Sequence, residues 1–295
     1  PCLAGEKVLE LSLFVQRCFD TLQVVKKMRL GCITIFLFVS TICAGQRPVD
    51  RAQNISMGGI KQYVTIKGKD DSKPLLLFLH GGPGGSVMGY AHKFTDKLQQ
   101  HFVVVQWDQR ETGKTLELNP SRVPLTLSLF ENDARELIDS LLAKFDQKKI
   151  YLIGHSWGTV LGFRIANKYP ELLYAFVAIG AVVNQLESER IVLDRMKEKA
   201  LQTGDAAQVE ELSNVKIPFE NSDQLYYHRK WLFHFNGQTS AYKRISKSYI
   251  SSWAAKWLSV WNEASSVNLL ESLPDLRCPV YFFAGRKDNQ TNSAI

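Results

Sequence analysis

At 295 residues, 45% of them hydrophobic and 22% charged, the chain is too apolar to be disordered and long enough for one large α/β domain with an insertion. Its net charge is +7. Residues 1–45 hold five basic and three acidic side chains, and the remaining excess is spread along the chain, which excludes a concentrated nucleic-acid-binding face. Four of the five cysteines, Cys2, Cys18, Cys32 and Cys43, precede residue 45. The body of the chain therefore has Cys278 alone and can build neither a disulfide framework nor a cysteine metal site. Placed before Pro279 and an apolar run, Cys278 reads as a buried, inert thiol.

Taken in order, Met28-Arg29-Leu30 opens a short basic start, Ile33 to Ile42 is mostly apolar, and Cys43-Ala44-Gly45 supplies small residues before polar Gln46-Arg47-Pro48. That is the three-part form of a secretory signal peptide over residues 28–45, which implies a secreted or periplasmic protein. Residues 1–27 then read as an upstream, non-native segment; the alternative is an amphipathic helix from Leu9 to Val25. The apolar run is about half the length a transmembrane helix needs, so no stable membrane span is expected.

From Ile60 the chain alternates, with Tyr63, Thr65 and Lys67 against Val64 and Ile66, as a half-buried edge strand does. Pro74 to Leu79 is continuously apolar, which marks a strand covered on both faces. It ends in His80-Gly81-Gly82-Pro83-Gly84-Gly85-Ser86, with four glycines in five positions, so the backbone turns tightly and approaches something closely. One reading is an oxyanion loop in which the Gly82 N–H stabilises developing negative charge. The rival is a phosphate loop, disfavoured because neither Gly-x-Gly-x-x-Gly nor Lys-Ser/Thr follows.

Phe102 to Trp107 is a further buried strand, followed by Asp108-Gln109-Arg110-Glu111-Thr112-Gly113-Lys114-Thr115. A Walker A reading fails because Asp108 stands where its first glycine belongs. The segment reads either as a polar loop shaped by an Asp108–Arg110 pair or as a solvated charge cluster. Ser128-Leu129-Phe130-Glu131 has the form of a capping box opening a helix with apolar residues at helical spacing through Phe145.

Ile150 to Ile153 then runs into Gly154-His155-Ser156-Trp157-Gly158, and a helix follows, closed by Pro170. A Gly-x-Ser-x-Gly between strand and helix is the form of a nucleophile elbow, a sharp turn that exposes the serine hydroxyl beside the next residue's N–H. Leu172 to Ile179 is the next buried strand. The alternation of strand and helix predicts an α/β fold with a mostly parallel, doubly wound sheet. Residues 185–270 break that rhythm with a helix-rich stretch in which Trp253, Trp257 and Trp261 share one helical face, either as core or as the inner wall of a lid. The sheet resumes at Pro279 to Ala284 and ends in Gly285-Arg286-Lys287-Asp288. An aspartate just past a late strand suits either the acid of a Ser-Asp-His triad or a helix N-cap.

Four motifs together, His80-Gly81-Gly82-Pro83-Gly84, Trp107-Asp108-Gln109-Arg110, Gly154-His155-Ser156-Trp157-Gly158 and Gly285-Arg286-Lys287-Asp288, resemble the proline iminopeptidase group of α/β-hydrolases. The resemblance runs from about Tyr63 to Asp288. It implies an α/β-hydrolase core over 46–184 and 271–295, a helical cap over 185–270, and no cofactor or metal. It further implies Ser156 as nucleophile, the Gly82 and Trp157 N–H groups as the oxyanion hole, Asp288 as the acid orienting a histidine, and a small peptide with a free N-terminus, proline preferred, as substrate. Acidic cap residues of that group bind the substrate's α-amino group, and Glu263 is the candidate here. Glu111 departs from the pattern, which has glycine there.

A serine hydroxyl needs a base, normally histidine, and the order Ser, Asp, His places it after Asp288. Asn289 to Ile295 contain none, and His80, His92, His101, His155, His228 and His234 all lie earlier. The sequence is therefore expected to be a fragment without its last strand, histidine loop and terminal helix, and inactive as it stands. A carboxylesterase of the same fold and a non-catalytic binding protein remain the alternative functions.

Overall fold

The computed structural model describes residues 47–286 and 288–291. The segments 1–27 and 28–45, with the signal-peptide expectation and the first four cysteines, lie outside the described residues. Among the described residues a seven-stranded sheet forms, in the order β1-β2-β4-β3-β5-β6-β7. The strands are β1 (Val49–Met57), β2 (Ile60–Gly68), β3 (Leu75–Leu79), β4 (Val103–Trp107), β5 (Ile150–His155), β6 (Leu173–Ile179) and β7 (Val280–Phe283). From β4 through β7 all pairings are parallel, whereas β2 runs antiparallel to both β1 and β4. No described helix is long and apolar enough to cross a membrane.

The edge-strand expectation for the stretch after Ile60 is corrected here. β2 lies inside the sheet, and β1, paired along its whole length from Val49↔Gly68 to Met57↔Ile60, forms the edge. β1 carries a mostly polar, exposed run, Asp50-Arg51-Ala52-Gln53, so it shows no hydrophobic period. Its tie to β2 is the two-glycine turn at Gly58 and Gly59, both at positive φ.

The helices are α1 (His92–Thr95), α2 (Gly113–Leu118), α3 (Leu127–Lys144), α4 (Trp157–Lys168), α5 (Gln185–Thr203), α6 (Ala206–Ser213), α7 (Ser222–Phe235), α8 (Thr239–Arg244) and α9 (Lys247–Ser265). One sheet face carries Leu75, Leu77, Val103, Val105 and Leu152, and α3 and α4 bury their apolar stripes on it. The other face, with Leu76, Val104 and Ile153, is covered by Leu98 and Phe102. Helices α5 to α9 form the cap, with a core of its own around Val192, Met196, Leu212, Trp231 and Leu232. α9 belongs to both cores: Ile250 and Ala254 pack in the cap, while Trp257, Val260, Trp261 and Ala264 pack in the main core. The tryptophan stripe is thus chiefly packing.

Two local expectations are also corrected. The N-cap of α3 is Thr126, whose side chain accepts from Leu129 N at 3.2 Å. Glu131, instead of closing a capping box, is buried and pairs with Arg164 and Lys168 on α4. Likewise Arg110 does not pair with Asp108. Its guanidinium is held by Asp133 through Nε at 2.9 Å and Nη2 at 2.8 Å, and Nη2 also donates to Gly58 O at 2.8 Å. A forked guanidinium matches a carboxylate edge-on, and α3 presents one at the right depth. Cys278 is buried, and burial pushes its thiol up from the ordinary value.

Arg110 and Asp133 are 1% and 0% exposed, so deleting one leaves the other charged and unsatisfied. Asp133→Ala is expected to lower stability by about 3–5 kcal/mol. Urea denaturation monitored by tryptophan fluorescence measures this, and a loss below about 1 kcal/mol would contradict the structural weight given to the pair.

Candidate active site

The elbow expected at Ser156 is present as geometry. β5 ends at His155, α4 begins at Trp157, and Ser156 between them has φ 51° and ψ −118°. A non-glycine residue there carries strain of about 1–3 kcal/mol, which surrounding contacts must hold in place. They are visible: Ser156 N donates to Ile179 O at the end of β6 (2.9 Å), and Thr159 Oγ1 donates back to Ser156 O (2.6 Å). The flanking glycines permit the close approach. A Cβ on Gly158 would lie 2.0 Å from Leu79 O, and one on Gly154 would lie 2.6 Å from Gly158 O.

The glycine loop after β3 lies against this turn. A Cβ on Gly81 would come within 3.0 Å of His155 O and 3.3 Å of Ser156 Cβ. Gly82 has φ +126°, backbone that favours glycine, and its own Cβ would meet Gly84 N at 2.6 Å. The loop, through Gly81, and the Trp157 N-terminus of α4 therefore both lie against Ser156.

A buried polar chain fixes this convergence. His80 Nδ1–H donates to Gly81 O (2.9 Å), so Nε2 is the acceptor for Gln109 N (3.2 Å). The Gln109 amide then bridges, donating to His80 O at 3.1 Å and accepting from the Trp157 indole at 3.0 Å. Asp108 ties down the far end of the loop, accepting from Ser86 Oγ (2.5 Å) and Lys114 N (2.9 Å). Burial pushes the Asp108 carboxyl up, opposed by these bonds. Sequence reasoning placed Gln109 in a motif without a role. Its signal was its position directly after a buried strand, next to the loop it braces.

Glu111, the departure from the resemblance, adopts φ 60°, the left-handed backbone for which glycine is suited. Its side chain accepts from Ser121 N and from Lys256 Nζ of α9 (2.6 Å), so the substitution adds a bond from core to cap.

Asp288 sits beyond β7, with Oδ2 3.7 Å from where a Gly180 Cβ would stand, one residue past Ile179. Oδ1 accepts from Gln290 N (2.9 Å) and Thr291 N (3.1 Å), and Oδ2 from Thr291 Oγ1 (2.8 Å). A carboxylate accepts about four hydrogen bonds, so Oδ2 keeps capacity for one more donor. The charge of Asp288 reaches the elbow: surrounding protein holds the pKa of His155 down, and Asp288 opposes that. Gln185 links the turn to the cap, donating to Gln290 O and to Glu189 Oε1, each at 2.9 Å. Glu189 is the centre of a buried cap cluster with Arg229 (2.6 Å) and His228 (3.2 Å). Desolvation pushes the Glu189 carboxyl up, but the charges of Arg229 and His228 together with hydrogen bonds from Arg229 and Gln185 outweigh it and hold the carboxyl at about 2.

Glu263 is exposed, and its carboxylate accepts from Leu127 N at 2.9 Å, where it caps α3. Among the described residues no histidine hydrogen-bonds Ser156 Oγ. His80 and His228 are buried in the contacts above, and His234 packs against Trp231 and Tyr242.

A family model described as alpha/beta hydrolase fold matches residues 74–292, and the chain belongs to that family. Among curated proteins it is 38% identical over 146 residues to the "Probable aminopeptidase YbaC" of Bacillus subtilis, covering 50% of this chain and 46% of the relative. It is 27% identical over 149 residues to the proline iminopeptidase of Thermoplasma volcanium, covering 49% and 48%. Those matches span about half the length of the curated relatives. Among solved structures, MGS-M2, an alpha/beta hydrolase enzyme from a Medee basin deep-sea metagenome library, superposes with a TM-score of 0.55 at 18% identity over 82% of each chain, which shows the shared fold.

His80 supplies a test of the polar chain. Burial is the main cause that holds its pKa at about 4 against 6.5 ordinarily, so the folded form keeps it neutral. Below 6.5 the unfolded chain binds the extra proton, and stability falls by about 1.4 kcal/mol per pH unit towards 4. His228, also at about 4, adds in the same direction. His155, its pKa also held down by burial, contributes too, and His80→Gln is expected to remove the His80 share, about 1.4 kcal/mol per pH unit, between pH 6.5 and 4. Urea midpoints measured across that range check it, and an unchanged slope would show that His80 is not held neutral by the fold.

Proposed function

We propose that the protein is a serine hydrolase that releases the N-terminal residue, proline preferred, from small peptides through an acyl-enzyme. The observation that carries the reading is the strained Ser156 turn with the Gly81-Gly82 loop packed against it. Ser156 Oγ attacks the carbonyl carbon and its proton passes to a histidine base. The Gly82 and Trp157 N–H groups hold the oxyanion while the leaving amine takes that proton, and water then releases the acyl group. Asp288, facing the elbow across Gly180, orients the histidine. That histidine is proposed to come from polypeptide outside the 295 residues, a reading supported by the lack of any histidine hydrogen-bonded to Ser156 among the described residues.

The relatives named as aminopeptidase and proline iminopeptidase support the substrate class. Glu263 stays the candidate for the α-amino group, in competition with its cap on α3. Export directed by residues 28–45 belongs to the same proposal. A carboxylesterase is the second reading, because the same serine and oxyanion donors serve esters equally well.

The test uses protein expressed through the continued reading frame and assayed on proline arylamide and p-nitrophenyl acetate. Arylamide turnover that is abolished by blocking the substrate's N-terminus is expected, and Ser156→Ala should reduce it by at least about 10³-fold. Ester turnover alone, indifferent to an N-terminal block, would favour the esterase. Activity that survives Ser156→Ala would overturn the nucleophile assignment.

A further inference from the structure

The cap touches the active site at one unusual place. α9 lies over the glycine loop, and the Trp253 indole Nε1–H donates to Pro83 O at 3.1 Å. One turn further on, Trp257 is 4% exposed and lies flush on Gly84. A Cβ on Gly84 would meet Trp257 Nε1 at 2.9 Å and Cε2 and Cζ2 at 3.0 Å, so Gly84 is bare because the indole occupies its side-chain space. The same Trp257 ring packs on Phe130 of α3, with centroids 5.9 Å apart, and Phe130 meets the Trp157 ring edge-on at 5.5 Å. One helix face thus reaches both halves of the candidate oxyanion hole. Trp253 and Trp257 hold the loop containing Gly82, while Trp257 acts through Phe130 on the first residue of α4.

We propose that α9 is a fixed clamp of the oxyanion hole and that Trp253 and Trp257 are positioning residues for the Gly82 N–H. The physical need is plain. The loop from Gly81 to Gly85 has one side chain, the buried Pro83 ring, and no polar side chain to anchor it; its internal support is the bond from Gly85 N to Gly81 O at 3.2 Å. Four glycines give the backbone wide conformational freedom, so an N–H aimed at a reacting oxygen must be fixed from outside. His80 and Asp108 fix the two ends of the loop, and the indoles fix its middle. Lys256, on the same helix, bonds Glu111, so α9 is held to the core by a polar tie besides the stripe. Lifting α9 would therefore remove the outside support of the loop.

The decisive variant is Trp253→Phe, which removes the N–H donor and keeps an aromatic ring at a half-buried position. Lys256→Met is the control, since it cuts an α9 contact to the core that does not touch the glycine loop. In the full chain, amide hydrogen exchange of residues 81–86 is expected to quicken by about tenfold or more in Trp253→Phe, with Gly85 the most sensitive reporter. The amides of β3 and α4, and the loop in Lys256→Met, should be unchanged. Loop exchange within twofold of the parent protein would overturn the clamp. This readout requires no turnover, so it decides the clamp whether or not the hydrolase reading holds.

The kinetic half rests on that reading. In protein showing Ser156-dependent turnover, Trp253→Phe should lower kcat by about tenfold or more with KM within twofold, as loss of an interaction made in the transition state does. Unchanged kcat despite faster loop exchange would overturn the positioning role, and so would a raised KM at constant kcat, which marks direct substrate contact. Absence of Ser156-dependent turnover in the parent protein would sink the hydrolase reading and leave the exchange result standing.

Discussion

Everything at the site depends on one close approach, that of Gly158 to the Leu79 carbonyl. Helix α4 reaches the end of β3 so nearly that any side chain at Gly158 would collide with backbone, with its Cβ 2.0 Å from that oxygen. Close-packed interiors have no slack to absorb such a collision. Because α4 starts this near the sheet, the chain must reverse within a single residue after β5, and Ser156 takes the strained conformation that results. The same approach puts the end of β3, and so the glycine loop, beside the reversal. Serine exposure, strain and loop proximity are one geometric fact.

What stabilises that geometry is polar to an unusual degree. Around the elbow, His80, Gln109 and Asp108 are each 3% exposed or less, and Trp157 is fully covered. Their hydrogen bonds form a continuous chain from loop to indole, and such networks specify a unique arrangement only when every member is satisfied. Apolar packing would have tolerated small shifts that a network of this kind does not. The Arg110–Asp133 pair extends the polar scaffold outward, anchoring the loop after β4 to α3 and to the Gly58 turn. Glu111 carries it across to the cap through Lys256.

The continuous apolar runs at β3, β4, β5 and β6 were legible because strands buried on both faces need them, and the Gly-x-Ser-x-Gly was legible because the turn has steric demands only glycine meets. β1 was not, since an edge strand with Asp50, Arg51 and Asn54 exposed needs no hydrophobic period. The partner of Arg110 was misjudged for a different reason. Asp133 is 23 residues away and is brought in by the packing of α3, and sequence proximity had suggested Asp108. Glu131 and Glu263 show the same limit: a carboxylate's partner is chosen in three dimensions, and one became a buried salt-bridge centre while the other caps a helix. At the tryptophan stripe, spacing correctly placed Trp253, Trp257 and Trp261 on one face, but only the fold shows that this face runs from the cap core into the main core.

That division of α9 between two apolar cores bears on how the molecule comes apart. Ile250 and Ala254 belong to the cap, Trp257 to Ala264 to the sheet side, and Trp253 touches both. A cap with a private core and ordinary linkers would open as a separate low-stability unit. Here melting the cap exposes the tryptophans of the main core, and melting the main core removes the support of α9. The two cores share a single helix as their common beam, and their unfolding is coupled through it.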